Sequence, residues 1–277
     1  MATEQRVHHP SEETLLRCAV ALEELIYGDD SSLDIARSIV DRSIKSYSDD
    51  QITKVGQYAF NTCENLTAVS LPVCTSLGDY AFGGCSSLAS VELPACTSLG
   101  DNTFSYCTSL TSVELPACTS IFGWYTFANC TNLSSVNLPA CTNLRARAFQ
   151  NCTSLKSIEL PTLEELDDSE HFYQCDKLQT IDFGGITSSI PEGCFSSCYS
   201  LTAVIIRTTY KVIGLSSTGA FSNCYHFYGT VDATYNPDGL KDGYIYVPDT
   251  LVDSYKTATN WVTLADQIKP LSELPTK

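Results

Sequence analysis

A phenylalanine followed three residues later by a cysteine recurs eight times along this chain: Phe60/Cys63, Phe82/Cys85, Phe104/Cys107, Phe127/Cys130, Phe149/Cys152, Phe172/Cys175, Phe195/Cys198 and Phe221/Cys224. The phenylalanines are 22, 22, 23, 22, 23, 23 and 26 residues apart. A leucine follows each cysteine by three (Leu66, Leu88, Leu110, Leu133, Leu155, Leu178, Leu201), with Phe227 in that place in the last unit. Next come Val69, Val91, Val113, Val136, Ile158, Ile181 and Val204, and two beyond these Leu71, Leu93, Leu115, Leu138, Leu160, Phe183 and Ile206. Prolines 72, 94, 116, 139 and 161 follow in the first five units, and a second cysteine column stands at Cys74, Cys96, Cys118 and Cys141. Self-similarity at a short fixed period restricts the fold to a stack of like units. Ordering one unit costs more conformational entropy than its few apolar side chains recover, so the units must share their buried faces.

Within a unit, Leu-x-x-Val-x-Leu alternates around the valine and reads as a short strand. Proline ends the strand because it cannot donate to the ladder. The stretch up to the next Ala-Phe is expected to be a turn plus a loose helical or 3₁₀ arc. The pattern Cys-x-x-Leu-x-x-Val-x-Leu-Pro, as in Cys85-Ser-Ser-Leu88-Ala-Ser-Val91-Glu-Leu93-Pro94, resembles leucine-rich repeats, and within them the BspA-like (Treponema-type) bacterial subfamily. The resemblance covers about residues 52 to 230, and Tyr244-Ile-Tyr-Val-Pro248 with Tyr255 and Trp261 looks like the C-terminal end seen in that family. It implies an α/β solenoid, a stack of about eight units of 22–23 residues with a helical N-terminal cap and a mixed C-terminal cap.

The ends fit that outline. Residues 1–50 are expected to hold two helices between 11 and 47, a cap or a docking and oligomerisation module, with Ser11 and Ser32 at their starts. The repeats occupy 51–230. Residues 231–277 close the other end with a strand near Tyr244–Val247 and short helices near 250–257 and 261–268, Asp249 serving as an N-cap.

Fourteen cysteines suggest disulfides at first, but twelve of them fall in the two columns. Strands about 4.8 Å apart bring column neighbours within the disulfide range of about 4.4–6.8 Å. Column neighbours point the same way rather than at each other, which argues for free thiols. In the repeats this chain resembles, that position faces inward and satisfies backbone groups of the turn. There is no Cys-x-x-Cys, and Cys194 and Cys198 have no histidine nearby in the sequence, so no metal site is expected. His8, His9, His171 and His226 join no serine or aspartate in a recognisable constellation. No catalytic residue and no cofactor is expected, and the chain reads as a non-enzyme.

The net charge of −16, from 16 Lys plus Arg against 32 Asp plus Glu, argues against binding nucleic acid or an anionic membrane. No stretch approaches the roughly 18 apolar residues of a membrane span, and no secretory signal or sorting motif is evident. Cytoplasmic synthesis is expected, with virion association as one destination.

In a solenoid the strands line the concave face. Its outward columns read Ser70, Glu92, Glu114, Asn137, Glu159, Asp182, Ile205 and, beside them, Ala68, Ser90, Ser112, Ser135, Ser157, Thr180, Ala203. The pairs Glu92/Glu114 and Glu159/Asp182 are candidates to bind a basic surface or a cation, with Asn137, Ser90, Ser112 and Ser135 alongside. A third ladder, Thr75, Thr97, Thr119 and Thr142, sits in the turn, where hydroxyls satisfy backbone groups. Tyr58, Tyr80, Trp124 and Tyr125 precede the phenylalanine column, and Phe122-Gly123-Trp124 marks a bulge in a 23-residue unit. Members of the family this chain resembles act in adhesion to host proteins, matrix or other bacteria. The resemblance therefore implies an adhesin-like recognition module that binds a protein or cell-surface glycan through the concave face. The alternative is a bacteriophage tail or receptor-binding component, since similar repeats with a leaderless start and a Tyr-Val-Pro tail occur there.

Overall fold

The computed structural model describes residues 46–48, 50–167 and 169–276. The two expected N-terminal helices, and with them Cys18, lie outside these residues except at the very end of the second. There, Ser46–Ser48 is a strand rather than a helix, parallel to Ala68–Ser70 with Tyr47 in register with Val69. Tyr47 stands 22 residues before Val69 and so occupies the valine column of the ladder.

Each repeat passes along three sides of the stack, and each side bonds to the same side of its neighbour. The first side is the parallel strand around the valine. Ser46–Ser48, Ala68–Ser70 and Ser90–Glu92 form one sheet, and Ser112–Glu114 and Ser135–Asn137 a second. Ser157–Leu160, Thr180–Phe183, Ala203–Ile206, Tyr244–Val247 and Ile268–Pro270 form the third. The inward column fixes the register, Val69 on Val91, Val113 on Val136, and Ile158, Ile181, Val204, Ile245 and Ile268 in line.

The second side corrects the expected loose arc. Six strands of two residues, from Lys54–Val55 to Glu165–Leu166, pair in strict sequence order as a parallel sheet. Their inward residues, Val55, Leu77, Leu99, Ile121, Leu144 and Leu166, are buried. The second cysteine column, three residues before each of the middle four, packs beneath them.

The third side is neither helix nor strand. Alternate N–H groups donate along the stack, Tyr80 to the Asp101 carbonyl at 2.7 Å, Phe82 to Thr103 at 2.9 Å and Gly84 to Ser105 at 2.7 Å. A helix would use those donors within the unit. The arc instead places residues two before and two after the phenylalanine at positive φ, as at Tyr58 (59°), Thr62 (56°), Tyr125 (58°) and Asn129 (63°). Left-handed backbone costs a non-glycine residue about 1–2 kcal/mol, which the inter-repeat bonds and the core beneath offset.

That core is a column of phenylalanine rings. Phe60, Phe82, Phe104, Phe127, Phe149, Phe172 and Phe195 stack at 5.0, 5.5, 5.5, 5.4, 5.6 and 5.8 Å between centroids. The chain then continues the valine-side ladder past the repeats. Tyr244–Val247 adds one strand, and Ile268–Pro270, not expected from the sequence, adds the last. Between them the helix Val252–Thr257 and a 3₁₀ segment Trp261–Gln267 fold Tyr255 and Trp261 into the core. Both rings reach Ile213: the Tyr255 hydroxyl accepts its N–H at 2.9 Å, and the Trp261 indole donates to its carbonyl at 2.6 Å. Asp249 does not cap the helix. Its carboxylate accepts the Ser272 N–H at 3.1 Å, and the Ser272 hydroxyl together with that N–H holds it below the usual carboxylate range.

Candidate functional site

The cysteines are the most numerous chemical groups here, and their surroundings decide what they can do. The thirteen described cysteines are buried and unbridged. In the first column, from Cys85 onward, each thiol donates to the phenylalanine carbonyl of the preceding repeat: Cys85 to Phe60 at 3.0 Å, Cys107 to Phe82 at 3.2 Å, Cys130 to Phe104 at 3.1 Å, and so on to Cys224 on Phe195 at 3.1 Å. The same carbonyl accepts the N–H of its own unit's cysteine, as Phe82 does from Cys85 at 3.2 Å.

Cys63 is the first member of this column. It is buried like the others, 4% exposed, and its N–H donates to the Phe60 carbonyl at 3.1 Å. Its thiol meets that of Cys85, a contact that helps hold Cys85 protonated.

In the second column Cys74, Cys96, Cys118 and Cys141 donate to the carbonyl two residues on, at 3.2–3.5 Å. A thiol in that role must keep its proton. Burial disfavours the thiolate and pushes Cys96, Cys118, Cys130 and Cys175 up to about 12 and Cys141 to about 11. The reactive form of cysteine is the thiolate, so these groups serve packing. Among the described residues no three His, Cys, Asp or Glu side chains gather as a metal would require.

The outward columns of the valine-side strands are a different surface. Ser90, Ser112, Ser135, Glu92, Glu114, Asn137 and Glu159 are exposed, and Asp182 is half-buried. In register, Glu92 lies beside Ser70, Glu114 beside Asn137, and Glu159 beside Asp182. The Ser70 hydroxyl donates to Glu92 at 2.7 Å. The boundary between the first and second sheets runs between Glu92 and Glu114, and there Ser90, Glu92, Pro94, Ser112, Glu114 and Pro116 line a shallow depression of about 280 Å³.

The other acidic pair differs from expectation. Arg207 grips Asp182 through Nε at 2.8 and 3.1 Å and a terminal nitrogen at 2.7 Å. The guanidinium also feels the charge of Glu159. Ile205, expected at the exposed end of this column, is 4% exposed. Arg207, two residues on and on the same face, reaches back to Asp182 beside it, and Tyr246 (5% exposed) packs in register on the other side. Lys269 lies 3.7 Å above the Tyr244 ring. The C-terminal end of the face is therefore covered and charge-matched, and the open carboxylates are those of Glu92 and Glu114. Arg207 stands in the column that holds proline in the first five units, where nothing in the period signals a guanidinium reaching sideways to Asp182.

Two further sets of residues take clear places. Thr75, Thr97 and Thr142 donate their hydroxyls to carbonyls one repeat back, Thr53, Thr75 and Thr119, at 3.1, 3.0 and 3.1 Å. The threonine ladder thus closes backbone valences in the turn. Of the aromatic set, Tyr58 and Tyr80 stack at 5.0 Å, Tyr125 lies under Arg147 at 5.3 Å, and Trp124 is 46% exposed. No helix among the described residues is long and apolar enough to cross a membrane.

Comparison with known proteins agrees with this architecture. No curated protein matches the chain. Among solved structures, the leucine-rich repeat protein of T. pallidum is 29% identical, with a TM-score of 0.50, covering 57% of this chain and 78% of its own. A leucine-rich cell surface protein of Faecalibacterium prausnitzii A2-165, 19% identical with a TM-score of 0.50, covers 82% of this chain and 79% of its own and shares the fold. The model of the BspA type leucine-rich repeat region matches residues 43–145 and 125–231, in six copies. With its period, its parallel ladders and most of its length accounted for in this way, the chain belongs to the BspA-type leucine-rich repeat family.

Proposed function

We propose that this protein is a non-enzymatic recognition module that binds a basic protein surface through the concave face, centred on Glu92 and Glu114. The supporting observation is the pair of exposed carboxylates across the depression between the two sheets, with Ser90 and Ser112 beside them. Further down the face Arg207 already matches Asp182. Asn137 and Ser135 extend the surface, and Glu159 borders its neutralised end. Two carboxylates side by side repel each other, and a cationic partner relieves that repulsion. Such a face steers association more than it sets affinity.

The test is a binding screen of the whole protein against bacterial cells and host matrix proteins, followed by charge reversal. Glu92→Lys with Glu114→Lys is expected to weaken the partner found by roughly tenfold, mostly through slower association and a lost salt dependence. Glu159→Lys is expected to have a smaller effect. Binding unchanged by the double reversal would remove the concave face from the interaction. Retention of an uncharged glycan alone would redirect the proposal to carbohydrate.

A further inference from the structure

Tyr125 shows how the surface of the arc holds a guanidinium. Arg147, one repeat on, lies over the Tyr125 ring at 5.3 Å and donates from Nε to Glu170, a repeat further, at 2.6 Å. A second nitrogen donates to the Tyr125 hydroxyl. A ring face and a carboxylate together hold the cation. Tyr125, Arg147 and Glu170 belong to the column two residues ahead of each phenylalanine. Tyr58, Tyr80 and Asn102 precede them in it, all at positive φ.

One step toward the N-terminus the column offers the same chemistry around a smaller residue. Asn102 stands between Tyr80 and Tyr125, since Tyr80 donates its N–H to Asp101 and Asn102 donates its own to Trp124. Tyr80 stacks on Tyr58 on its far side, and Tyr125 meets Arg147 on its far side. Asn102 is the residue of the column between these two rings, one repeat from each. Two carboxylates stand alongside: Asp79 accepts the Asp101 N–H at 2.8 Å, and Asp101 accepts the Trp124 N–H at 2.8 Å. Both are half-buried at the surface.

The inserted residue of the next unit adds to this notch. Regular units carry Gly78-Asp79 and Gly100-Asp101 here, whereas this unit carries Phe122-Gly123-Trp124. Gly123 is pressed onto the Gly100 carbonyl, where any Cβ would collide. Phe122 is left 59% and Trp124 46% exposed. Neighbouring exposed rings on a surface otherwise built of glycine and aspartate mark a contact site.

We propose that the notch over Asn102, walled by Tyr80 and Tyr125 and rimmed by Asp79, Asp101 and Trp124, receives an arginine or lysine side chain from a partner protein. Charge complementarity selects this occupant. Two carboxylates rim the notch, the chain carries a net charge of −16, and Arg147 on Tyr125 shows the same column holding a guanidinium from within. The site lies on the arc and not on the concave strands, so it is separable from the proposed binding face.

The test measures calorimetric binding of the full chain to short Gly/Ser peptides carrying either paired arginines or paired citrullines, the neutral isostere. The arginine peptide is expected to bind roughly tenfold tighter than the citrulline peptide. Tyr80→Asn removes the ring and puts a residue tolerant of positive φ in its place. Asp101→Asn removes the charge and keeps an acceptor for the Trp124 N–H. Each is expected to weaken the arginine peptide roughly fivefold, with circular dichroism unchanged, while Asp253→Asn, an exposed carboxylate on the helix Val252–Thr257, leaves it unaffected. Equal affinity for the citrulline peptide, no binding of the arginine peptide, or edge variants that bind like the parent would overturn the proposal. So would binding confined to a neutral oligosaccharide measured in parallel.

Discussion

Above about pH 9 the protein is expected to unfold within about one pH unit. Twelve of the described cysteines have their thiols pushed above the ordinary value, through burial in nearly every case. In the unfolded chain the same thiols ionise near pH ~8.5. A group whose pKa is raised by folding stabilises the fold fully below its unfolded pKa. That contribution is lost as pH rises toward the folded value. Each thiol held neutral costs about 1.4 kcal/mol per pH unit above the unfolded pKa. Twelve together reach on the order of 15 kcal/mol one unit above it, as large as the whole stability of a typical domain. Tyr255, raised by burial to about 12, acts in the same direction. Circular dichroism followed against pH should show one steep transition between about pH 9 and 10. Replacing Cys74, Cys96, Cys118 and Cys141 by alanine should move its midpoint upward. A fold unchanged at that pH would mean that the thiols are not buried as described.

Phe127→Ala is expected to be the most damaging single substitution in the repeats, at about 4 kcal/mol. Phe127 is fully buried between Phe104 at 5.5 Å and Phe149 at 5.4 Å, and its carbonyl accepts the Cys152 thiol at 3.2 Å. Removing the ring leaves a void open to rings on both sides, which the stacked backbone cannot close by collapse. Because each repeat is stabilised by its neighbours, the break also uncouples the two halves. Urea unfolding should therefore show a lower midpoint and a shallower or split transition. A loss below about 1 kcal/mol with an unchanged slope would show that the ring column does not carry the stack.

Most of the interior was legible from the sequence because the period repeats each inward position many times. Phe, Cys, Leu and Val columns were read correctly as strands and core for that reason. Features that occur once were not legible. The strand Ile268–Pro270 contains Lys269 and ends in proline, so it lacks alternation, and it pairs only because Tyr244–Val247 presents an edge. The two-residue strands beginning at Lys54–Val55 are too short to show a period of two. The left-handed arc was hidden because tyrosine, threonine and arginine occupy positions where glycine would have announced it. At the candidate site, Glu92 and Glu114 were placed on the face by register alone. The loss of Asp182 to Arg207 depends on a long side chain reaching across strands, which no spacing encodes. Ile205 was expected exposed by column, but Arg207 and Tyr246 pack around it. The notch at Asn102 was visible only as a list of aromatic residues until the stacking of Tyr58 on Tyr80 and Arg147 on Tyr125 gave it walls.

The cysteines stand at the centre of this account, as buried neutral thiols, those of the first column bonding repeat to repeat, that report the stacking period rather than a redox state. Counting reactive thiols in the native protein with a thiol-specific reagent, before and after denaturation, tests that most directly. The account predicts that the thirteen described cysteines stay unmodified in the native state and all react once the chain unfolds. Rapid native labelling of several of them, or a mass showing hydrogens lost to disulfides, would contradict it.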